Sequence, residues 1–267
     1  MITYSATLDV PEATLNQLTR WLKDHRHALG TRKGVRTATC RTQALLVLRW
    51  FRDDTRLKML AKDAKLPLST AYRYLHEGIS VLAAQAPDLH EVLTRAQTEG
   101  WSHLLLDGTL IETDRVGAKD PDTGYDLWYS GKHKKQGGNV QILCDPTGFP
   151  VWSSPVEPGR THDLAAARRH VLPALYAIAA LTGLLTLTDK GYNGAGIGIL
   201  SPTKGRNLAP DNLTRNALLT SLRALGERGN AILKTWRALT RIRLDPARIG
   251  DIVASVIVLA ALERGNH

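Results

Sequence analysis

Apolar positions recur at helical spacing through the first third of the chain, then give way to short apolar runs punctuated by glycine and proline. Residues 44–50, Ala-Leu-Leu-Val-Leu-Arg-Trp, are strongly apolar, and Leu57, Leu60, Ala61 and Ala64 follow at three- and four-residue intervals, which predicts two helices. Pro67 forbids continuation of the second, and Ser69 is a residue type that caps a new helix. That third helix is expected from Thr70 to about residue 84, with Ala71, Leu75, Ile79 and Leu82 on one face and Ser69, Thr70, Arg73, Tyr74 and Glu77 on or near the other. The pattern over about 55–84 reads as a helix-turn-helix.

After Ala86-Pro87-Asp88 a polar helix is expected around 89–98, and from Trp101 the texture changes. Residues 103–111 read as a buried strand, and 138–144 with 149–156 as a hairpin turned at Asp145-Pro146-Thr147-Gly148. A helix over 164–180 should follow, with Thr161 or Asp163 as its N-cap. Then come a buried strand over 183–189, a Lys190-Gly191-Tyr192 turn and a short strand over 198–202. Residues 212 to about 243 read as one long, basic, amphipathic helix, and Pro246 opens a last apolar helix through 262. Three strands, a helix, a strand, a short strand and a long helix is the order of elements in the RNase H-like fold. The expected class is therefore α/β: an RNase H-like domain, a mixed sheet flanked by helices, over 99–267, preceded by a small all-α helix-turn-helix domain over 1–98.

Charge sharpens this picture. The 267 residues carry a net charge of +10, and positions 20–80 hold fourteen Lys or Arg against five Asp or Glu. Such an asymmetry points to a polyanion. Nucleic acid is the expected one, because no run of about eighteen apolar residues exists to span a bilayer and the basic segment is not a lipid-facing amphipathic tail. In a helix-turn-helix the second helix lies in the major groove, so Ser69, Thr70, Arg73 and Tyr74 are candidate DNA contacts. The competing reading is a helical hairpin that merely packs, and the local basic excess favours the first. Cys40 and Cys144 form no CxxC pair, and no secretory leader follows Met1. A reduced, cytoplasmic protein with two small buried thiols is expected.

Asp107 and Asp189 each end an unusually apolar run. If those strands are neighbours, both carboxylates emerge on one edge of the sheet, and Glu227 on the long C-terminal helix would lean over it. Phosphodiester cleavage uses two divalent ions about 4 Å apart, and Mg²⁺ takes carboxylate oxygens. A single strand-end Asp is more often a turn or cap residue. Asp145 belongs to a turn, Glu112 lies beyond the first strand, and Asp163 beside His162 is open as a cap, a group supporting the metal ligands or the middle carboxylate itself. No Ser-His-Asp or Cys-His arrangement points to acyl transfer.

Several separated motifs carry a resemblance. They are Asp107-Gly108-Thr109; Tyr129-Ser130-Gly131-Lys132-His133-Lys134-Lys135 leading into Asn139-Val140-Gln141; Pro158-Gly159-Arg160-Thr161-His162-Asp163; Asp189-Lys190-Gly191-Tyr192; and Arg223, Glu227 and Lys234, with three and six residues between them. In these the chain resembles bacterial insertion-sequence transposases of the DDE superfamily, Harbinger/PIF-related branch. The resemblance implies that Asp107, Asp189 and Glu227 are the catalytic residues and hold two Mg²⁺ (or Mn²⁺) ions, with His162 and Asp163 behind them. It implies double-stranded DNA as partner, both terminal inverted repeats and target, no membrane, and a homodimer or larger assembly in a bacterial cytoplasm. Lys132, Lys134, Lys135, Lys190, Lys204, Arg223 and Lys234 would bind phosphates as a set, with Arg223, Glu227 and Lys234 on roughly one helical face. One position departs from the pattern: Thr220 stands where the related Tyr-Arg-Glu-Lys signature has its tyrosine. Gly229, inside the expected helix, costs roughly 1 kcal/mol relative to alanine, which close approach of DNA would justify. Trp128, Trp152 and Trp236 would stack on bases or pack the core. Two rivals stand beside a transposase. One is a non-transposing nuclease of the same fold; the other is a DNA-binding regulator with an inert catalytic domain, which the intact triad argues against.

Overall fold

Four helices make up the N-terminal third: α1 (Glu12–Ala28), α2 (Cys40–Asp53), α3 (Leu57–Asp63) and α4 (Leu68–Ala83). The computed structural model describes residues 7–32 and 34–265. These helices form one compact unit with residues 235–239 and the chain from Ala254 onward. α1, which no motif announces, buries Leu18 and Leu22. Thr39 caps α2, its Oγ1 accepting from Thr42 N at 3.1 Å. Ala71, Leu75, Ile79 and Leu82 of α4 are all buried, as the periodicity requires. α4 nevertheless starts at Leu68, with Pro67 rather than Ser69 at the cap position; the N–H that proline lacks is one a helix start leaves unpaired anyway. Trp236 is fully buried, with the Arg52 guanidinium 4.2 Å above its ring, so its role is packing.

The second unit runs from Pro87 to Lys234 with residues 240–253. It holds α5 (Leu89–Thr98), β1 (His103–Glu112), β2 (Tyr129–Ser130), β3 (Lys135–Cys144), β4 (Pro150–Ser153) and β5 (Glu157–Pro158). There follow α6 (Asp163–His170), α7 (Leu172–Thr182), β6 (Leu185–Leu187), β7 (Ile199–Leu200), α8 (Pro210–Arg223), α9 (Gly226–Lys234) and the start of α10 (Ile249–Gly265). Contacts divide the chain at Ala86/Pro87, whereas the change of sequence texture places the boundary after 98. α5 accounts for the difference: its reciprocal Asp88–Glu91 capping box starts a helix whose Val92, Leu93 and Ala96 join Leu104, Leu106 and Leu175 in the core of this unit.

The sheet is mixed, in the order β2-β3-β1-β6-β7, with β4 and β5 also paired to β3. β1 runs antiparallel to β3 and parallel to β6, and β6 runs parallel to β7. Helices flank it. The β3–β4 turn is the expected one: Asp145 Oδ1 accepts from Thr147 N, Thr147 Oγ1 and Phe149 N. Two of the expected long helices are not continuous. The expected 164–180 helix is α6 and α7, parted at Val171, because Pro173 in the first turn of α7 has no N–H to carry the ladder across. The expected 212–243 helix is α8, α9 and a 3-10 turn at Arg237–Leu239; Gly226 weakens the helix at the junction, and the Leu225 carbonyl there lies against Gly148. The last helix likewise starts at Ile249, behind a 3-10 turn at Pro246–Arg248. Glu112 closes β1 and pairs with Lys135 at 2.7 Å. Among the described residues no helix is long and apolar enough to cross a membrane.

Candidate active site

Adjacent parallel strands bring the two aspartates together. β1 pairs with β6 through His103↔Leu185, Leu104↔Thr186 and Leu105↔Leu187, a constant offset of 82, and 107 + 82 = 189. Asp107 and Asp189 therefore occupy corresponding positions two residues past the last paired rung. Asp189 also does the ordinary work of a strand-end aspartate: its Oδ1 accepts from Gly191 N at 2.7 Å and caps the Lys190–Tyr192 turn.

The opposite wall is α8 and α9. One cleft is lined by Asp107, Ile142, Cys144, Arg223, Glu227 and Asn230, and Asn230 Nδ2 donates to Asp107 Oδ2 at 3.1 Å. Arg223 ends α8 and Glu227 opens α9. The single-helix argument for their common face therefore fails, although both reach the same cleft. Thr220, at the position of the missing tyrosine, lines it too and donates from Oγ1 to Asn216 O at 2.8 Å. Lys234 is exposed at the end of α9. Gly229 has a packing reason rather than a DNA one: a Cβ there would lie 2.7 Å from Cys144 Sγ and 2.9 Å from the Gly148 carbonyl. Glycine is what lets α9 seat on the β3–β4 hairpin.

Charge in this cleft is mixed, with Arg223 set against the carboxylates. Burial pushes the Asp107 carboxyl above its ordinary value and the nearby Asp189 pushes it further, with Asp163 adding a little, while Arg223 and the Asn230 bond oppose the rise. Lys132 feels the same three carboxylates. Its bond to Asp163 raises its pKa, with Asp189 and Asp107 adding to this, against partial burial. Among the described residues no three His, Cys, Asp or Glu side chains converge as metal ligands. Asp107, Asp189 and Glu227 are therefore not drawn together as such a group; Glu227 lines the cleft with an exposed side chain.

Asp163 is not the cap of α6; His162 is, its Nδ1 accepting from Leu164 N at 3.3 Å. The Asp163 carboxylate turns inward and takes Asn139 Nδ2 at 2.7 Å and Lys132 Nζ at 2.8 Å. Lys134 and Lys190 are exposed, as are Lys132, Lys135 and Lys204. Trp152 packs against the core of the sheet unit.

On α4 the assignment of DNA contacts changes at two positions. Ser69 and Arg73 are exposed, but Thr70 and Tyr74 are buried. Tyr74 accepts from Ala38 N at 3.3 Å through its hydroxyl, and Arg26 and Arg36 lie over its ring. A side chain 2% exposed cannot reach a base edge. Tyr72 and His76 escape the sequence pattern: they stack on one another outside the helix, 6.5 Å between centroids. A signal for them exists, since 69, 72, 73 and 76 share one helical face.

Residues 106–261, more than half of the chain, match the DDE superfamily endonuclease family. The chain belongs to the DDE superfamily of endonucleases. The matched span of this DDE endonuclease contains Asp107, Asp163, Asp189 and Glu227 and leaves α1–α4 outside it. No curated protein matches the sequence. Among solved structures it is similar to "Mos1 transposase paired-end complex with left transposon end", at 14% identity over 92% of this chain and 98% of that one, with a TM-score of 0.23. It is also similar to "Crystal structure of a pre-cleavage Mos1 transpososome", at 11% identity over 86% and 97%, with a TM-score of 0.22. Scores this low do not indicate a shared fold, and the family match is what identifies the chemistry.

Proposed function

We propose that this DDE endonuclease is a DNA transposase with an RNase H-like catalytic domain, cleaving DNA at the terminal inverted repeats of its mobile element and joining the freed 3′ ends to target DNA. The observation that carries the reading is the placement of Asp107 and Asp189 at corresponding positions just past the last rung between adjacent parallel strands, with Arg223 and Glu227 on the facing wall of the cleft beside Asp107. Asp189 follows the end of β6, whereas Asp107 does not end its strand as the apolar run suggests but lies midway along β1, which continues to Glu112 against β3. Two carboxylates set close together, with Asp107 raised by burial and by Asp189, are a hard-oxygen donor set suited to Mg²⁺ or Mn²⁺. Asp107 and Asp189 would hold the metal, with Glu227 as the third donor. Two such ions, if bound there, would supply activation of the attacking oxygen and stabilisation of the leaving one. The protein's own groups do the rest: Asn230 orients the Asp107 carboxylate, and Arg223, Lys132, Lys134, Lys135, Lys190 and Lys234 hold phosphates. The N-terminal helices act as a helix-turn-helix, with Ser69, Tyr72, Arg73 and His76 of α4 facing the end sequence. Joining two ends calls for at least a homodimer, and buried, unpaired Cys40 and Cys144 suit a reducing bacterial cytoplasm.

The test is cleavage of a labelled duplex carrying the element's own terminal repeat, in Mg²⁺ and in EDTA, by wild type and Asp189→Asn. Metal-dependent nicking at the repeat boundary that is lost in the variant is the expected result. Binding without cutting by wild type would sink the transposase reading in favour of a DNA-binding regulator. Nicking without strand transfer would leave a nuclease of the same family. In a companion binding titration, Arg73→Ala weakens affinity for the repeat by about 1–3 kcal/mol and relaxes sequence preference. Tyr74→Phe, which removes a buried hydrogen bond, lowers stability by about 1 kcal/mol and leaves sequence preference unchanged.

A further inference from the structure

Three motifs that lie apart along the chain meet as one chain of hydrogen bonds. Tyr192 OH donates to Gln141 Oε1 at 2.6 Å, and Gln141 Nε2 donates to Asn139 Oδ1 at 3.0 Å. Asn139 Nδ2 donates to Asp163 Oδ1 at 2.7 Å, and Lys132 Nζ donates to Asp163 Oδ2 at 2.8 Å. Tyr192, Gln141, Asn139 and Asp163 are all buried. A network of this kind stabilises less than apolar packing of the same volume unless it is fully satisfied, and when satisfied it fixes each rotamer through its neighbour. Only side chains carrying both a donor and an acceptor can stand in its middle, which is where Asn139 and Gln141 stand.

Its position relative to the carboxylates is specific. The β1–β6 ladder stops at Leu105↔Leu187, so no sheet rung ties Asp107 to Asp189. Gly108, the residue after Asp107, lies directly under the network: a Cβ there would be 2.6 Å from Asp163 Oδ1 and 3.0 Å from Gln141 Nε2. Gln141 is also the rung partner of Gly108 on β3. At the other end, Tyr192 closes the turn that Asp189 caps. The Tyr192–Gln141 bond is therefore a cross-tie between the Asp189 turn and the strand paired with Asp107, placed where the ladder has ended.

We propose that Tyr192, Gln141, Asn139 and Asp163 form a positioning relay that sets the spacing of Asp107 and Asp189, with Lys132 as its exposed end toward a DNA phosphate. This rests on the reading of Asp107 and Asp189 as metal ligands. It makes Asp163 a positioning residue: each of its oxygens is engaged by a side chain of the network, Asn139 on one and Lys132 on the other.

The experiment uses the full chain and two isosteric variants. Tyr192→Phe cuts the cross-tie, and Gln141→Met, uncharged and of similar shape, removes both the acceptor for Tyr192 and the donor to Asn139. Mn²⁺ binding to the DNA-free protein is followed by electron paramagnetic resonance, cleavage by kcat and KM on the repeat duplex, and folding by circular dichroism. Expected for either folded variant are Mn²⁺ affinity and kcat each lower by about tenfold or more, with KM for DNA within about twofold. A folded variant with a lowered melting temperature but wild-type Mn²⁺ affinity and kcat would show a purely structural network and overturn the relay. Asp189→Asn, measured alongside, separates the two claims. If it binds Mn²⁺ and cleaves like wild type, the metal-site reading itself fails; if it loses both while Tyr192→Phe loses neither, only the relay fails.

Discussion

Asp107→Asn is expected to abolish DNA cleavage while making the metal-free protein more stable. A metal ligand of this kind supports several kcal/mol of transition-state charge stabilisation, and at about 1.4 kcal/mol per tenfold in rate its loss corresponds to a decrease of roughly 10³-fold. Stability moves the other way. Asparagine has nearly the same shape, and its side-chain oxygen can still accept the bond from Asn230 seen at 3.1 Å. It removes a charge that burial and Asp189 penalise. Because the folded protein holds the Asp107 proton more tightly than the unfolded chain, whose ordinary value is 3.8, the folded state binds more protons between the two values. Stability without metal therefore falls as pH rises from 3.8 through the raised pKa, and the penalty is fully present above it. Melting curves in EDTA across acidic and neutral pH check this: the variant should lack that part of the slope and melt higher than wild type near neutrality. Added Mg²⁺ should narrow the gap by stabilising wild type alone. A variant that melts lower at every pH would show that the charge is not under strain in the fold.

The second large effect concerns a glycine outside the carboxylate cluster. Gly148, in the β3–β4 turn, has φ +81°, and a Cβ there would lie 1.9 Å from the Leu225 carbonyl oxygen, a backbone atom that cannot swing aside. Gly148→Ala incurs a left-handed conformational cost of about 1–2 kcal/mol and also forces the turn and the start of α9 apart. Glu227 and Asn230 ride on α9, so the cleft wall moves with it. A displacement near 1 Å at a reacting centre can cost about 10²-fold in rate. Gly183→Ala is the control. Its φ is +75° but nothing lies within 4 Å of a Cβ there, so it should lower the melting temperature and leave cleavage unchanged. Equal cleavage by Gly148→Ala and Gly183→Ala would mean that α9 does not depend on the hairpin for its position.

Much of the site is legible in the order of amino acids. Asp107 and Asp189 can be picked out because each ends an apolar run, and such a run with an acidic terminus carries a local signature. The Asp145–Gly148 turn, the α5 capping box and the buried stripe of α4 are readable for the same reason: each depends on residues within a few positions of one another. Failures come where a distant part of the chain intervenes. Tyr74 has the composition of a DNA contact, but Ala38, Arg26 and Arg36 enclose it. Gly229 suggests room made for DNA, and it makes room for Cys144 and the Gly148 carbonyl instead. The helix expected over 212–243 breaks where Leu225 meets the hairpin turn.

By itself, then, the amino-acid order determined the element types, the apolar faces, the basic N-terminal segment and the two carboxylates that close apolar runs, because periodicity, turn chemistry and charge are properties of neighbouring residues. Tertiary structure alone decided that β1 and β6 are adjacent with an offset that aligns Asp107 with Asp189. It alone decided that α8 and α9 part so that Glu227 faces the cleft, and that Lys132, Asn139, Gln141, Asp163 and Tyr192 share one line of hydrogen bonds. Strand register and side-chain networks are set by contacts between segments dozens of residues apart, and no local pattern encodes which distant partner will fill the space that a glycine leaves open.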